Sequence, residues 1–172
     1  MNEAMNNLLT RRSIRKYSEE RIPDEVLDQI LEAGLYAPTG MNRQNVVMVA
    51  VQDKETRDLL SRLNAAVMGA DHDPFYGAPC VIVVLGDPEI YPVVENGSLV
   101  LGNLMNAAHA LGLGSCWIHR AKQVFDSDEG KALLEEWGLP QHLTGIGNCI
   151  LGYPEESPAP KPRLEGRIVK IG

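Results

Sequence analysis

The segment spanning residues 95–111 constrains this chain most. At helical spacing it carries Leu99, Val100, Leu101, Leu104, Met105, Ala107, Ala108 and Leu111, which leaves it almost no polar face. A helix that is apolar nearly all round must be covered on most sides. It therefore predicts either a central helix or one buried between subunits. The rest of the chain reads as an alternation of helices and strands that could supply the cover. Ile22-Pro23-Asp24-Glu25 opens a helix with proline and acids in its first turn, where the dipole favours them. Val26, Leu27, Ile30, Leu31 and Gly34 keep helical spacing until Pro38 stops it. Residues 53–68 predict a second amphipathic helix, with Leu59, Leu60, Leu63 and Val67 on one side. A third helix is expected near residues 129–137.

Short, wholly apolar runs at residues 46–51 and 80–85 predict buried strands. Residues 115–118 and 146–151 predict two more, and residues 71–77 a polar, turn-rich loop. Beyond Gly152, prolines at positions 154, 158, 160 and 162 exclude a helix and predict an extended arm lying on another surface. No internal repeat and no linker-like shift in composition interrupts the chain. The expectation is one α+β domain over residues 1–172, with residues 153–172 as its C-terminal arm.

With 172 residues, 44% hydrophobic and 23% charged, the chain can bury a full core and has the composition of a soluble globular protein. No apolar run approaches the roughly 20 residues of a bilayer span, and residues 1–7 lack a basic-then-apolar leader. A cytoplasmic location without a membrane partner is expected. The net charge of −7 argues against nucleic acid as a partner. Cys80, Cys116 and Cys149 are odd in number, lack C-x-x-C spacing and sit in apolar runs, so they read as buried free thiols.

The charge is unevenly placed. Residues 1–16 hold four basic side chains against one acid, residues 161–172 again four against one, and the stretch between them sums to −13. Arg11, Arg12, Ser13, Arg15 and Lys16 form an anion-binding set, because guanidinium forks grip phosphate bidentately. Lys161 and Arg163 make a second short basic cluster. A solvated basic face explains either alone; one shared anion explains both. Pro38, Thr39, Asn42 and Gln44 lie in a tight loop after a helix. Their hydroxyl and carboxamide groups suit the edge of a heterocycle as well as a plain helix stop.

The glycine-rich stretches at residues 112–118 and 145–154 match neither a dinucleotide fingerprint, a phosphate-binding loop nor a hydrolase elbow. Ser115 has no partnered base in the pattern. His72, His109, His119 and His142 lack metal-ligand spacing, and Asp71-His72-Asp73 reads as a solvated loop rather than a metal site.

Four blocks in order carry a resemblance: Arg11-Arg12-Ser13-Ile14-Arg15-Lys16-Tyr17, the loop from Ala37 to Gln44, Ala107 to Ile118, and Leu151-Gly152-Tyr153-Pro154 followed by Lys161 and Arg163. Together they span nearly the whole chain, which resembles the nitroreductase family of FMN-dependent oxidoreductases. The resemblance implies an α+β fold, a mostly antiparallel sheet flanked by helices, assembled as a homodimer with FMN at the subunit interface. It assigns Arg11, Arg12, Ser13 and Arg15, with Lys161 and Arg163, to the FMN phosphate. It assigns Pro38, Thr39, Asn42 and Gln44 to a loop reaching the flavin from the other subunit. It places the backbone of Trp117, Ile118 and His119 along the isoalloxazine, near N5.

The implied activity is hydride transfer from NAD(P)H through the flavin to a nitroaromatic, quinone or similar small-molecule acceptor in ping-pong order. No side chain is given a catalytic role, since the redox chemistry belongs to the flavin. The sequence departs from the family where Asn45 and Val46 follow Gln44, and where His119-Arg120 replaces a glycine after Ile118. The alternatives are a flavin-binding relative that dehalogenates or fragments a flavin, and a non-enzymatic module whose basic N-terminal segment holds an acidic partner or RNA.

Overall fold

The computed structural model describes residues 2–172, and its spine is the apolar run Cys80–Gly86 (β2), buried at every position. Val46–Val51 (β1) and Thr144–Gly152 (β4) pair with it on either side, and Gly114–Ile118 (β3) pairs with β4. The sheet order is β1-β2-β4-β3 and all three pairings are antiparallel. Side chains alternate across a strand, so β2 feeds two cores. Val81, Val83 and Leu85 meet Leu60 of Lys54–Met68 (α3), Phe125 of Ala121–Asp126 (α5) and Leu134 of Asp128–Glu136 (α6). Cys80, Ile82 and Val84 meet Ile30 of Asp24–Leu35 (α2) and Leu101 and Leu104 of Val93–Ala110 (α4). Cover on both faces is why an antiparallel strand is apolar at every position.

The apolar helix anticipated at residues 95–111 is α4. It packs on the sheet and on α2, with Val100, Leu101, Leu104 and Ala108 in its buried stripe. The close approach needs Gly97: a Cβ there would lie 2.2 Å from Cδ1 of Ile146. The outer stripe stays open, and Leu99 is 47% exposed. Within one chain the helix therefore keeps an uncovered stripe around Leu99.

Three features differ from the sequence reading. Glu3–Thr10 (α1) and α5 are helices that local patterning did not announce. β1 is an edge strand, half-buried along most of its length and exposed at Ala50, because a single neighbour covers it. The loop at residues 71–77 is turn-rich and exposed at Asp71, His72, Tyr76 and Gly77, but Phe75 is buried in the core and Asp73 is bonded on several sides. No helix among the described residues is long and apolar enough to cross a membrane.

Candidate functional site

The basic segment is built into the sheet rather than frayed from it. Asn2 caps α1 by accepting from the Met5 N–H at 2.9 Å, and Asn7 ties the helix to α4 through the Asn106 carbonyl, also at 2.9 Å. The chain leaves α1 at Arg11 in extended geometry and runs beside β3. There the Ile14 N–H donates to the Ser115 carbonyl at 3.0 Å, and Ser13 and Ser115 form a parallel bridge. Ile14 and Tyr17 turn inward and are buried, while Arg15 and Lys16 face out. The Tyr17 hydroxyl donates to the Ile14 carbonyl at 2.6 Å, and burial raises its pKa. Tyr17 therefore serves as a staple, not as a proton donor.

This docking leaves a pocket of about 230 Å³ between the segment, the C-terminal end of α4 and the start of the arm. Arg11, Arg12, His109 and Ser115 line it, with Glu156 at its rim. One Arg12 nitrogen, Nη1, is spent on the Leu9 and Arg11 carbonyls at 2.8 Å. Arg11 Nη1, Arg12 Nε and Ser115 Oγ are buried with no hydrogen-bond partner. Buried donors without acceptors are costly, and three of them on residues that line one pocket suit a site that takes an acceptor. His109 is held below its ordinary pKa by burial and then by the charges of Arg11 and Arg12.

A second pocket, about 210 Å³, opens at the end of β3. It brings Arg15 together with Trp117, Ile118 and His119, whereas the sequence reading grouped Arg15 with Arg11 and Arg12; the extended backbone after Arg12 carries Arg15 past the first pocket. Its far wall is Tyr76, whose ring lies 5.9 Å from the Arg15 guanidinium carbon. The backbone bends sharply after His119: Arg120 sits at φ 74°, a left-handed conformation that a long side chain rarely adopts. Asn64 of α3, fully buried, clamps the bend. Its Nδ2 donates to the His119 carbonyl at 2.8 Å and its Oδ1 accepts from Arg120 Nε at 3.0 Å. Asn64 and Tyr76 are absent from the sequence reading, which names Arg120 only as a departure after Ile118. The one available signal was an amide four residues after Leu60, on the apolar side of α3.

The amide loop lies elsewhere. Residues 40–42 form a 3-10 turn, and Met41, Asn42 and Gln44 all have φ near +50°. The Gln44 N–H donates to Thr39 Oγ1 at 3.1 Å, and Gln44 Nε2 to Asn42 Oδ1 at 3.2 Å. Asn96 of α4, 1% exposed, accepts from the Gly40 N–H at 2.9 Å and donates to Asn45 Oδ1 at 2.8 Å. Pro38, Asn42 and Gln44 are exposed, and Thr39 is half-buried. Asn96 and His109 are thirteen residues apart along α4, about 20 Å at the helical rise. The loop and the basic pocket thus stand near opposite ends of one helix, and none of residues 38–44 lines the basic pocket.

Lys161 and Arg163 lie on the arm, which is exposed from Pro154 to Gly172 and lines neither pocket with those two residues. The arm is rooted by the Tyr17–Pro154 bridge, by the Glu155 N–H on the Lys16 carbonyl at 2.9 Å, and by Glu156, which accepts from the Arg15 N–H. The three cysteines are free and buried. Burial pushes the Cys80 thiol up to about 12 and raises Cys149 as well, so neither supplies a thiolate near neutral pH.

Comparison with known proteins places these features in a wider set. The model of the Nitroreductase family matches residues 8–153. A protein of Archaeoglobus fulgidus, provisionally named NADH dehydrogenase/NAD(P)H nitroreductase, is 35% identical over 162 residues, 91% of this chain and 88% of its own. An FMN reductase [NAD(P)H] of Bacillus subtilis is 31% identical over 186 residues, 98% of this chain and 73% of its own. A crystal structure of a nitroreductase with bound FMN from Bacteroides fragilis superposes with a TM-score of 0.90 at 29% identity, covering 100% of both chains.

Proposed function

The chain belongs to the nitroreductase family, and from that premise we propose that it is an FMN-dependent NAD(P)H oxidoreductase whose cofactor runs from the Arg11–Arg12–Ser115 pocket to the end of β3. The observation that carries this reading is the set of three buried, unpartnered donors, Arg11 Nη1, Arg12 Nε and Ser115 Oγ, around one pocket. A phosphoryl group has the oxygens they lack, so the residues present fit the phosphate end of FMN. The Bacillus subtilis relative named for FMN reduction and the Bacteroides fragilis structure with bound FMN support the same cofactor.

The chemistry supplied by bound FMN is acceptance of hydride from NAD(P)H and, in ping-pong order, delivery to a nitroaromatic, quinone or similar acceptor. This chain's residues bind and orient. Arg11, Arg12 and Ser13 would hold the phosphate side, Lys161 and Arg163 would reach it from the arm, and Arg15 would meet the flavin from the pocket at the end of β3. Trp117, Ile118 and His119 would line the flavin edge, and the Asn64 clamp fixes the backbone bend beside them.

The assembly we propose is a homodimer. The open stripe of α4 around Leu99 is its natural contact, and a two-fold axis crossing α4 aligns the helices antiparallel. That arrangement brings Pro38, Thr39, Asn42 and Gln44, near one end of α4 in one copy, to the basic pocket near the other end in its partner.

Purified protein should show a flavin absorption spectrum with about one FMN per chain, and should oxidise NADH or NADPH when given a quinone or nitroaromatic. A colourless preparation that takes up no added FMN sinks the cofactor assignment. Flavin without turnover points instead to dehalogenating or flavin-fragmenting relatives. The double variant Arg11→Ala/Lys161→Ala should lose FMN while size-exclusion still reports a dimer. Retained stoichiometric FMN would show that the phosphate lies elsewhere.

A further inference from the structure

We propose that His109 is a phosphate-binding residue that takes up a proton when an anion enters the Arg11–Arg12–Ser115 pocket, which links cofactor binding to pH. The inference rests on the reading of this pocket as the phosphate end of the FMN site. The geometry of Thr10 fixes the starting state. Its hydroxyl has one hydrogen, and Oγ1 lies 2.7 Å from the Asn6 carbonyl, which can only accept. The 2.8 Å contact between Thr10 Oγ1 and His109 Nε2 must then be donated by the imidazole. Neutral His109 is therefore the Nε2–H tautomer, and any second proton enters at Nδ1.

The polar and charged groups that share the pocket with the ring come from three elements. Thr10, Arg11 and Arg12 follow from α1, Ser115 from β3, and Glu156 from the arm. With the pocket open to water, burial and the two guanidiniums keep the ring neutral. A phosphate dianion changes the sign of the nearest charge, neutralises the guanidiniums and favours the imidazolium. The protonated ring then adds a positive charge and a donor to a pocket that Arg11, Arg12 and Ser115 already line. A group whose pKa rises on binding takes up a proton, so affinity for a dianion strengthens as pH falls through the bound-state pKa.

Calorimetric titration of the flavin-free full chain, in buffers of different ionisation enthalpy, reads the proton directly. Near pH 7.5 the phosphate, whose second pKa is about 6, is already a dianion and contributes little of its own. FMN should bind with uptake of a fraction of a proton, and riboflavin with none. His109→Gln keeps an amide donor toward Thr10 and cannot titrate. It should abolish the uptake and weaken FMN roughly three- to tenfold while leaving riboflavin affinity unchanged. NMR titration of the wild-type His109 ring with inorganic phosphate gives a second readout that needs no variant; the ring pKa should rise. FMN binding without uptake, uptake that persists in His109→Gln, or equal uptake with riboflavin overturns the linkage and leaves the FMN reading standing. Failure of the wild type to bind FMN at all overturns that reading and this proposal with it.

Discussion

Arg57 is 7% exposed, and its guanidinium organises a loop that the sequence leaves undefined. Nε donates to the Ala78 carbonyl at 2.9 Å, Nη2 reaches Asp73 at 2.6 Å, and the group lies 5.5 Å from the Phe75 ring. Asp73 also accepts from Ser61 and from the N–H groups of Phe75 and Gly77. Burial alone would raise the Asp73 carboxyl, but these hydrogen bonds outweigh it and hold its pKa below the ordinary value. Residues 71–77 are thus folded round one carboxylate, which presents Tyr76 to Arg15. Asp73→Ala should destabilise the chain by about 2–3 kcal/mol, read from the urea midpoint. That is less than the 3–5 typical of a fully buried pair, because about a third of the Asp73 side chain meets solvent. A depressed carboxyl stabilises above its unfolded pKa and loses the effect as pH falls through its folded value. The gap between wild type and Asp73→Ala should therefore be full near neutrality and shrink below about pH 4. None of this was legible beforehand, since Asp71-His72-Asp73 looks the same in sequence whether its acids face water or an arginine.

At the scale of elements, β2, α2, α3 and α4 were legible because periodicity reports burial, and these elements are buried along a face or on both sides. α1 and α5 were not. Both are short for helices that must stand on local propensity, and α1 exposes most of its surface. What holds α1 is a bond to a carbonyl 99 residues away, which no local window contains. The turn at residues 40–44 was legible as a loop but not in its conformation. Three non-glycine residues with positive φ carry no glycine signal, and each costs on the order of 1 kcal/mol that the Asn96 and Thr39 bonds must hold. α5 is positioned through contact with β4, and Gly145 sets the distance: a Cβ there would stand 2.2 Å from the Ala121 carbonyl oxygen. Gly145→Ala should push α5 off the sheet and cost about 1–3 kcal/mol. Because α5 begins at the Arg120 bend, FMN retention should fall together with the denaturation midpoint.

For the whole molecule, the sequence names residues to propose for a site but not how they are arranged. Order and residue type marked Arg11 to Arg15, Pro38 to Gln44, Trp117 to His119, and Lys161 with Arg163. Only coordinates show that the second group stands near the far end of α4 from the first. The basic ends likewise divide: one is built into the sheet edge, while the other extends into solvent as an exposed arm. A site whose halves stand at opposite ends of one helix has a genetic consequence in a two-fold dimer. Defects in the two halves complement each other. In a mixed dimer of Asn42→Ala and Arg15→Ala chains, one pocket receives both lesions and the other receives neither. Differently tagged copies, co-expressed and purified through both tags, should retain flavin at one site of two, although each parental homodimer binds it weakly at both. Mixed dimers that hold no more flavin than the parents would mean that loop and pocket serve the same chain.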